Sequence, residues 1–352
     1  MFIENNFIIK DDLKNIISHN LPWQRLKNKN ILITGGSGFI GSYIIKSLLN
    51  ANIYYSLNLK IIILYRNLSR LKIRFNNITK IKNIILIRHD LKNFLPKNLM
   101  NSNFIIHCAS YASPKYYALM PVNTMTPNTV GTFNLLNYAV KSRAEKFLFF
   151  STGEVYGCIP NFNKEIKEHH WGYLDPTNLR SCYAESKRVG ETMCIAYSEQ
   201  FNLNTSIVRP FHTYGPGFAL DDGRVFADFV ADVIKKRDIV IKGDGKAKRC
   251  FCYISDATLG FLTVLFDGIN HEAYNVGDPT SEISIKNLAK LISNLFPELK
   301  IKIRFEKSEY KKNISSSLVR VLPSIKKIKR IGWKPTTDLK KGFIKTINSF
   351  IL

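Results

Sequence analysis

One stretch of the sequence decides the fold: Ile31-Leu32-Ile33-Thr34-Gly35-Gly36-Ser37-Gly38-Phe39-Ile40-Gly41. It joins a strand-like apolar run to a helical run, and its glycines fit both the GxGxxG and the GxxGxxG spacing. Glycines in this context allow a tight turn and a close approach of the backbone to a pyrophosphate, which the start of the next helix also binds. The stretch therefore predicts a dinucleotide site, with cofactor contacts from Gly35, Gly36, Gly38, Phe39, Ile40 and Gly41.

Outward from this stretch, short apolar runs alternate with longer helical ones. Strands are predicted over 30–34, 60–65, 83–88, 103–108, 146–151 and 205–210, and long helices over 39–50, 126–141 and 183–201. Strands separated by helices indicate βαβ units and a parallel sheet. The apolar run Lys146–Ser151 fits a strand that is buried on both faces. The predicted fold class is α/β, a Rossmann-type doubly wound parallel sheet with a smaller C-terminal substrate-binding lobe.

The sequence divides into three regions. Residues 1–28 mix polar and apolar positions and are interpreted as an N-terminal extension. Residues 29–210 are expected to form the dinucleotide-binding domain, to which 250–278 is expected to return. Turn-forming residues cluster after Pro210, and 211–352 is expected to be mainly the substrate-binding lobe.

Composition limits the class of protein. The chain has 352 residues, of which 45% are hydrophobic, which is enough for a full core. The formal net charge is +24, but the basic residues are spread along the whole chain and form no single tract. We therefore expect no nucleic-acid partner, and a positive surface that steers an anionic substrate inward.

Location and metal content are also suggested by the sequence. The apolar runs are strand-sized and far shorter than the roughly 20 residues of a membrane span, and the N-terminus lacks a secretory signal pattern. The six cysteines form no CxxC pair, so no metal site is predicted and reduced thiols are expected. The expectation is a cytoplasmic protein without a membrane partner.

The choice between NAD and NADP is left open by the second predicted strand. An acidic residue usually follows this strand and binds the ribose 2′-hydroxyl of NAD. Here the strand ends Leu64-Tyr65-Arg66-Asn67, without an acid. Arg66 is suited to a 2′-phosphate, as in NADP sites, or is simply a solvated surface arginine. Asp90, after the third strand, is a candidate adenine contact.

A catalytic group is predicted from two further stretches. Tyr183 and Lys187 lie four residues apart and therefore on one face of a helix. Thr152 and Glu154 directly follow the strand 146–151, and ligands of open α/β sheets bind at the carboxyl ends of strands. A phenol has a pKa of about 10, and a nearby ammonium favours its ionised form, so Tyr183 is the predicted base. Thr152 is suited to bind a substrate hydroxyl, and Glu154 to act as a second acid or base.

Together these residues resemble the extended short-chain dehydrogenase/reductases, the NAD-dependent epimerase/dehydratase family. Within it the chain is most similar to the UDP-glucuronate decarboxylases, over about residues 29–280. The stretches that carry this similarity are His107–Pro114, Pro127–Thr132, Glu154–Gly157, Trp171-Gly172, Arg180–Tyr183, Lys187–Val189, Gly215-Pro216, Asp222–Val225 and Gly243–Gly245.

The resemblance implies a reaction, site roles and an assembly. The reaction is NAD-dependent conversion of UDP-glucuronate to UDP-xylose through a 4-keto intermediate, and NAD is the favoured cofactor because these enzymes recycle it. Tyr117 would face the hexose and its carboxylate, Arg249 the diphosphate or reacting sugar, and Arg224 the nucleotide end; Arg180 and His212 complete the substrate site. The helices 126–141 and 183–201 would pair across a two-fold axis in a homodimer.

Two positions depart from the family pattern and keep alternatives open. Gly153 stands where the family usually has serine, and His212 where it has asparagine. Water would fill the space beside Gly153, or the enzyme would act on another sugar. A nucleotide-sugar 4,6-dehydratase is the nearest alternative, and a 4-epimerase, which needs no catalytic Glu154, is the next. A non-catalytic dinucleotide-binding module is the remote alternative, because it would not need Thr152, Glu154, Tyr183 and Lys187 together.

Overall fold

The structure is a computed structural model that describes residues 4, 6–75, 77–159, 164–306, 320 and 322–351. Its strands are β1 Asn30–Thr34, β2 Lys60–Tyr65, β3 Ile84–Arg88, β4 Phe104–His107, β5 Lys146–Phe150, β6 Thr205–Pro210, β7 His212–Tyr214, β8 Ile239–Lys242, β9 Lys248–Arg249, β10 Phe251–Tyr253, β11 Glu272–Val276, β12 Ile283–Ser284 and β13 Ile303–Glu306. Its helices are α1 Phe7–Ser18, α2 Phe39–Tyr54, α3 Leu68–Arg74, α4 Pro114–Leu119, α5 Pro121–Asn128, α6 Val130–Lys141, α7 Cys182–Phe201, α8 Val225–Ile234, α9 Ile254–Asp267, α10 Ile285–Asn294, α11 Lys326–Arg330 and α12 Leu339–Ile351.

Seven parallel strands form the central sheet, in the order β11-β6-β5-β4-β1-β2-β3. Alternate residues of β1 face opposite layers, because side chains of a strand point to alternate faces. Ile31 and Ile33 pack in the core that contains α1, α2 and α9, whereas Leu32 packs in the core that contains α6 and α7. Helices therefore cover both faces, and the predicted Rossmann-type doubly wound fold is confirmed. The chain changes direction between β1 and β4, which opens a crevice at the carboxyl ends of these strands.

The predicted helix over 126–141 is wrong in one respect: it is two helices, α5 and α6, separated at Thr129. Pro127 has no amide hydrogen and weakens the helical hydrogen bonding just before the break. Thr129 has a non-helical ψ of −81° with φ −109°. The carbonyl of Pro127 instead contacts the ring Nε2 of the buried His107 at 3.0 Å, so a tertiary contact stabilises the break.

The second half of the chain forms small sheets and returns once to the large one. Strands β8 and β13 pair in parallel, as do β7 and β10. Strand β11 pairs with β6 at the edge of the central sheet, and α9 lies in the same core as α2. The predicted domain bounds stay a prediction. No helix within the described residues is long and apolar enough to span a membrane.

The N-terminal helix α1 is an integral part of the core, where it packs against α2, α9 and α12. Its Asp12 side chain is fully buried and accepts hydrogen bonds from the hydroxyls of Tyr43 at 3.2 Å and Tyr253 at 2.8 Å. Lys345 of α12 contacts the other carboxylate oxygen at 3.0 Å. Burial raises the pKa of Asp12, and the charge and hydrogen bond of Lys345 oppose that rise. The Asp12 carboxylate thus joins α1 to α12 and to α2, the helix that begins in the glycine-rich segment 35–41, called here the glycine loop.

We expect Asp12→Ala to lower the free energy of unfolding by about 3 kcal/mol, because it leaves buried donors without an acceptor. Urea unfolding followed by circular dichroism measures the change. Asp11→Ala is the matched control: Asp11 also contacts Lys345, at 2.8 Å, but its side chain is 45% exposed, whereas that of Asp12 is fully buried. We expect the control to cost at most about 1 kcal/mol. Equal losses in the two variants would contradict the prediction.

Candidate active site

A cleft of about 1110 Å³ lies at the carboxyl ends of the parallel strands. Its walls come from the strand ends on one side and from the loops that flank β7 and β9 on the other. The residues predicted from sequence that line it are Gly35, Gly38, Phe39, Ile40, Gly41, Arg66, Asp90, Tyr117, Thr152, Glu154, Arg180, Tyr183, Lys187, His212, Arg224 and Arg249. Parallel strands end at one edge of a sheet, which is why residues so far apart in sequence meet there.

The glycine loop has the close approaches that a dinucleotide site needs. Gly35 has a positive φ of +74°, and a Cβ added to Gly41 would lie 2.4 Å from the Gly35 carbonyl oxygen. Gly38 precedes α2 and supplies no side chain to cap the first helical N–H groups. The hydroxyls of Ser110 and Ser151, also at the cleft, are buried without a partner among the described residues. These features fit a bound NAD, with the loop and α2 at its pyrophosphate.

Gly36 is not among the residues that line the cleft, and its predicted cofactor contact stays a prediction. A Cβ at this position would meet Ile45 Cδ1 at 2.6 Å and Ile63 Cγ2 at 3.1 Å. Gly36 is therefore required for packing of the loop against α2 and β2. This is the role that close helix–strand packing gives to one glycine of such motifs.

Tyr183 lies in a stack of aromatic and charged groups. Its ring packs on that of Tyr117 with 4.7 Å between centroids and an angle of 13°. The guanidinium carbon of Arg180 lies 4.7 Å from the centroid of Tyr117, and its Nη1 donates to Glu154 Oε2 at 2.7 Å. Glu154, Arg180, Tyr117 and Tyr183 thus form one contiguous group, called here the tyrosine stack.

The two groups of the Tyr-Lys pair are perturbed by burial. The pKa of Tyr183 is raised by burial and by the charge of Glu154, and the hydroxyl of Thr152 and the charge of Arg224 oppose that rise. Burial lowers the pKa of Lys187 to about 7, and its Nζ donates to the Phe150 carbonyl at 2.5 Å. The Lys187 ammonium lies 6.0 Å from the Tyr183 ring centroid. Thr152 is thus the hydrogen-bonding neighbour of Tyr183, and the predicted effect of Lys187 on the phenol stays a prediction.

The ring of Phe211 lies directly beside Gly153. A Cβ at Gly153 would lie 3.2 Å from the nearest ring atom of Phe211. Phe211 itself is buried against Val155, Tyr156 and Ile166. The ring of Phe211 therefore explains the departure from serine, since any side chain at 153 would press on it.

Arg224 and Arg249 give the far end of the cleft its positive charge, and His212 lies beside them. Burial and the charges of Arg249 and Arg224 lower the pKa of His212 to about 3, so its imidazole is neutral. Burial lowers the pKa of Arg249 as well. The Nε of Arg224 donates to the carboxylate of Asp222. Two guanidinium groups beside a neutral imidazole suit an anionic ligand such as a diphosphate.

Sequence reasoning missed His107, a buried residue that connects the start of the glycine loop to the Pro127 segment. Its Nδ1 lies 2.8 Å from the hydroxyl of Thr34, the residue before the glycine loop. Its Nε2 contacts the Pro127 carbonyl, and burial lowers its pKa to about 3. Asn128, next to Pro127, donates to the Ser186 hydroxyl at 3.0 Å on the helix of Tyr183. His107 begins a stretch that carries the family resemblance, but nothing local marks it as a site residue, because it reads as the end of an apolar strand.

Two similar proteins of known name are both UDP-glucuronic acid decarboxylases. UDP-glucuronic acid decarboxylase 4 of Arabidopsis thaliana is 34% identical over 331 residues, which cover 92% of this chain and 70% of the relative. UDP-glucuronic acid decarboxylase 1 of Xenopus tropicalis is 32% identical over 323 residues, which cover 92% and 72%. The solved structure of dTDP-glucose 4,6-dehydratase from Streptomyces venezuelae has a TM-score of 0.77 at 24% identity and covers 92% of this chain and 97% of that chain. That likeness shows the fold.

The sequence profile of the NAD dependent epimerase/dehydratase family matches residues 31–277. This range nearly coincides with the one over which the resemblance was predicted, and it contains the glycine loop and the tyrosine stack. The predicted family and its cofactor, NAD, are confirmed. The protein belongs to the NAD dependent epimerase/dehydratase family.

Proposed function

We propose that the chain is a nucleotide-sugar decarboxylase that converts UDP-glucuronate to UDP-xylose through a 4-keto intermediate. The observation that carries the proposal is the tyrosine stack, in which Glu154 is bound by Arg180 beside Tyr117 and the candidate base Tyr183. The decarboxylase names of relatives that align with 92% of the chain support it. The roles of the individual site residues belong to the same proposal.

The chain's own groups perform the proton transfers. Tyr183, with Thr152 beside it, removes the proton of the sugar 4-hydroxyl. The glycine loop would hold the dinucleotide, whose nicotinamide would accept a hydride from C4 and later return it. The 4-ketone makes the C5 carboxylate a β-keto acid, so the C5–C6 bond breaks, carbon dioxide leaves and the electron pair stays as an enolate. A proton from water then reaches C5, and the phenol of Tyr183 returns its proton to the 4-oxygen. Arg224, Arg249 and His212 hold the diphosphate end.

Glu154 distinguishes this reaction from the nearest alternative. A 4,6-dehydratase needs a base that removes the C5 proton, and Glu154 is the candidate. Its Oε2 already accepts a hydrogen bond from Arg180 at 2.7 Å. A decarboxylase needs no base at C5, because the bond to the carboxylate supplies the electron pair. The occupied carboxylate of Glu154 therefore favours decarboxylation.

Product masses test the proposal. The purified chain is incubated with NAD and, separately, UDP-glucuronate, dTDP-glucose, GDP-mannose and UDP-glucose. We expect loss of the mass of carbon dioxide from UDP-glucuronate and no change in the neutral sugars. Loss of water from a neutral hexose would identify a dehydratase, a stereochemical change without mass change an epimerase, and no turnover of any sugar a binding module.

We also propose a homodimer formed through α6 and α7. These helices expose neighbouring apolar side chains, among them Val130, Phe133, Val189 and Phe201. The ring of Tyr197 packs between Phe133 and Phe201, and its hydroxyl donates to Asn137, so the strip is continuous across both helices. An isologous pairing of this strip would remove it from water, as in most closed dimers.

Sedimentation at micromolar concentration is expected to give a dimer, and Phe133→Glu to give a monomer, because it places a charge in the apolar strip. Phe94→Glu is the control, since Phe94 is 81% exposed outside this strip. A monomeric wild type would contradict the dimer.

The cytoplasm is the proposed location. All six cysteines are free thiols in the structure, which agrees with a reducing compartment.

A further inference from the structure

The adenosine end of the cleft has an unusual balance of charge. Arg66, Arg70, Arg74 and Lys92 line it, and Asp90 is the acidic residue that lines it there. The Oδ1 of Asp90 accepts a hydrogen bond from the backbone N–H of Lys92 at 3.2 Å. This end of the site therefore offers mainly cationic donors to a ligand.

Arg66 is exposed, and its side chain reaches across the crevice. It follows β2, whereas its partner Tyr111 follows β4, and β1 with the glycine loop lies between these strands. The Nη2 of Arg66 donates to the Tyr111 hydroxyl at 2.7 Å, and its guanidinium carbon lies 5.0 Å from the centroid of that ring. The guanidinium is thus held above the mouth of the glycine loop.

The other two arginines have different surroundings. Arg74 is directed to the backbone, with its Nε donating to the Ser37 carbonyl at 3.2 Å and its Nη1 to the Gly217 carbonyl, so it supports the glycine loop. Arg70 lies one helical turn before Arg74 and is exposed at the cleft. Of the three arginines, Arg66 and Arg70 are therefore the ones that a ligand at this end would meet, beside Lys92.

The chemistry of these groups selects an anion at the ribose. A carboxylate at the end of β2 accepts a hydrogen bond from the ribose 2′-hydroxyl, but a guanidinium has only donors. Its best partner is a phosphate, which it binds through paired charge-assisted hydrogen bonds. We propose that Arg66 and Arg70 form a subsite for the 2′-phosphate of NADP, so that the chain binds NADP in addition to NAD and at least as tightly. This proposal rests on the dinucleotide site alone and not on the sugar reaction.

Calorimetric titration of the purified full chain tests the subsite without any turnover. The probes are NAD, NADP, AMP and adenosine 2′,5′-bisphosphate, the last two isolating the adenosine end. We expect the bisphosphate to bind at least about 10-fold more tightly than AMP, which corresponds to one charge-assisted interaction. Arg66→Gln and Arg70→Gln should each remove most of that difference and leave NAD affinity within about 3-fold of wild type.

Two further variants make the outcome specific. Arg88→Gln, an exposed arginine at the end of β3 that does not line the cleft, should leave all four affinities unchanged. Tyr111→Phe keeps the ring but removes the hydroxyl that positions Arg66, and should weaken NADP binding more than NAD binding. A wild type that binds NAD 10-fold more tightly than NADP, or an Arg66→Gln variant that weakens both equally, would overturn the proposal. Failure of the decarboxylase assay would leave these affinities unaffected, so the two proposals fail separately.

Discussion

Replacing Tyr183 with phenylalanine is expected to lower the turnover of UDP-glucuronate by at least about 10²-fold, the contribution of a positioned acid or base. The variant keeps the ring that stacks on Tyr117 and removes only the oxygen that exchanges the proton. Folding and dinucleotide affinity should therefore stay close to wild type. Coupled detection of carbon dioxide measures the rate, and circular dichroism checks the fold.

A buried tyrosine outside the cleft provides the control. The Tyr274 hydroxyl accepts a hydrogen bond from the Ile269 N–H at 2.9 Å, and its ring is almost fully buried. Tyr274→Phe loses a comparable hydroxyl without touching the site, so its turnover should change little. Near-normal activity of Tyr183→Phe would remove the proposed base.

The pH dependence of kcat/KM is expected to reflect the loss of a proton from Lys187. Burial raises the pKa of Tyr183 and lowers that of Lys187 to about 7. The form with one proton on the pair is therefore mostly neutral Lys187 with protonated Tyr183, and the active form with phenolate and ammonium is its minor tautomer. Both carry one proton, so kcat/KM is expected to rise as pH approaches 7 and then level off. Lys187→Met should abolish this rising limb; an unchanged limb would assign it to another group.

The central sheet could be predicted because its signals are local. Runs such as Ile61–Leu64 are apolar on both faces, which is typical of a parallel strand, and the glycine loop identifies the first βα turn. The break at Thr129 could not be predicted, because it depends on a contact between His107 and the Pro127 carbonyl, 20 residues apart in sequence. Pro127 within the helical pattern indicates a weakened helix but does not give the position of the break.

The candidate site could be predicted as a set of residues but not as a geometry. Strand ends and the i, i+4 spacing of Tyr183 and Lys187 brought the right positions together. The contact between Phe211 and Gly153 joins separate elements, and no pattern within either stretch encodes it. The same holds for Arg180, which was expected to bind substrate and which the structure pairs with Glu154 across 26 residues of sequence.

That pairing leads to the second large effect: Arg180→Gln is expected to lower kcat by about 10²-fold, the cost of misplacing a catalytic group by about 1 Å. Arg180 contacts both Glu154 and the Tyr117 ring on which Tyr183 stacks. Its loss therefore allows the side chains of Glu154 and Tyr117 to move. Arg180→Lys keeps the charge beside Glu154 but not the planar group over Tyr117. Its kcat should therefore lie between wild type and Arg180→Gln.

The readout must separate positioning from substrate binding and from stability. If Arg180 positions Glu154 and Tyr117, kcat falls and the affinity for UDP-glucuronate changes less than about 3-fold. The affinity is measured with and without Arg180→Gln in the Tyr183→Phe background, which prevents turnover. If Arg180 instead binds the sugar carboxylate in the ground state, affinity falls and kcat is preserved. Arg188→Gln is the matched control, because Arg188 lies on the same helix as Tyr183 and pairs with Glu185 at 3.5 Å without lining the cleft. A comparable fall of kcat in that control would attribute the effect to a loss of local structure around the site, since Arg188 also donates to two backbone carbonyls near it.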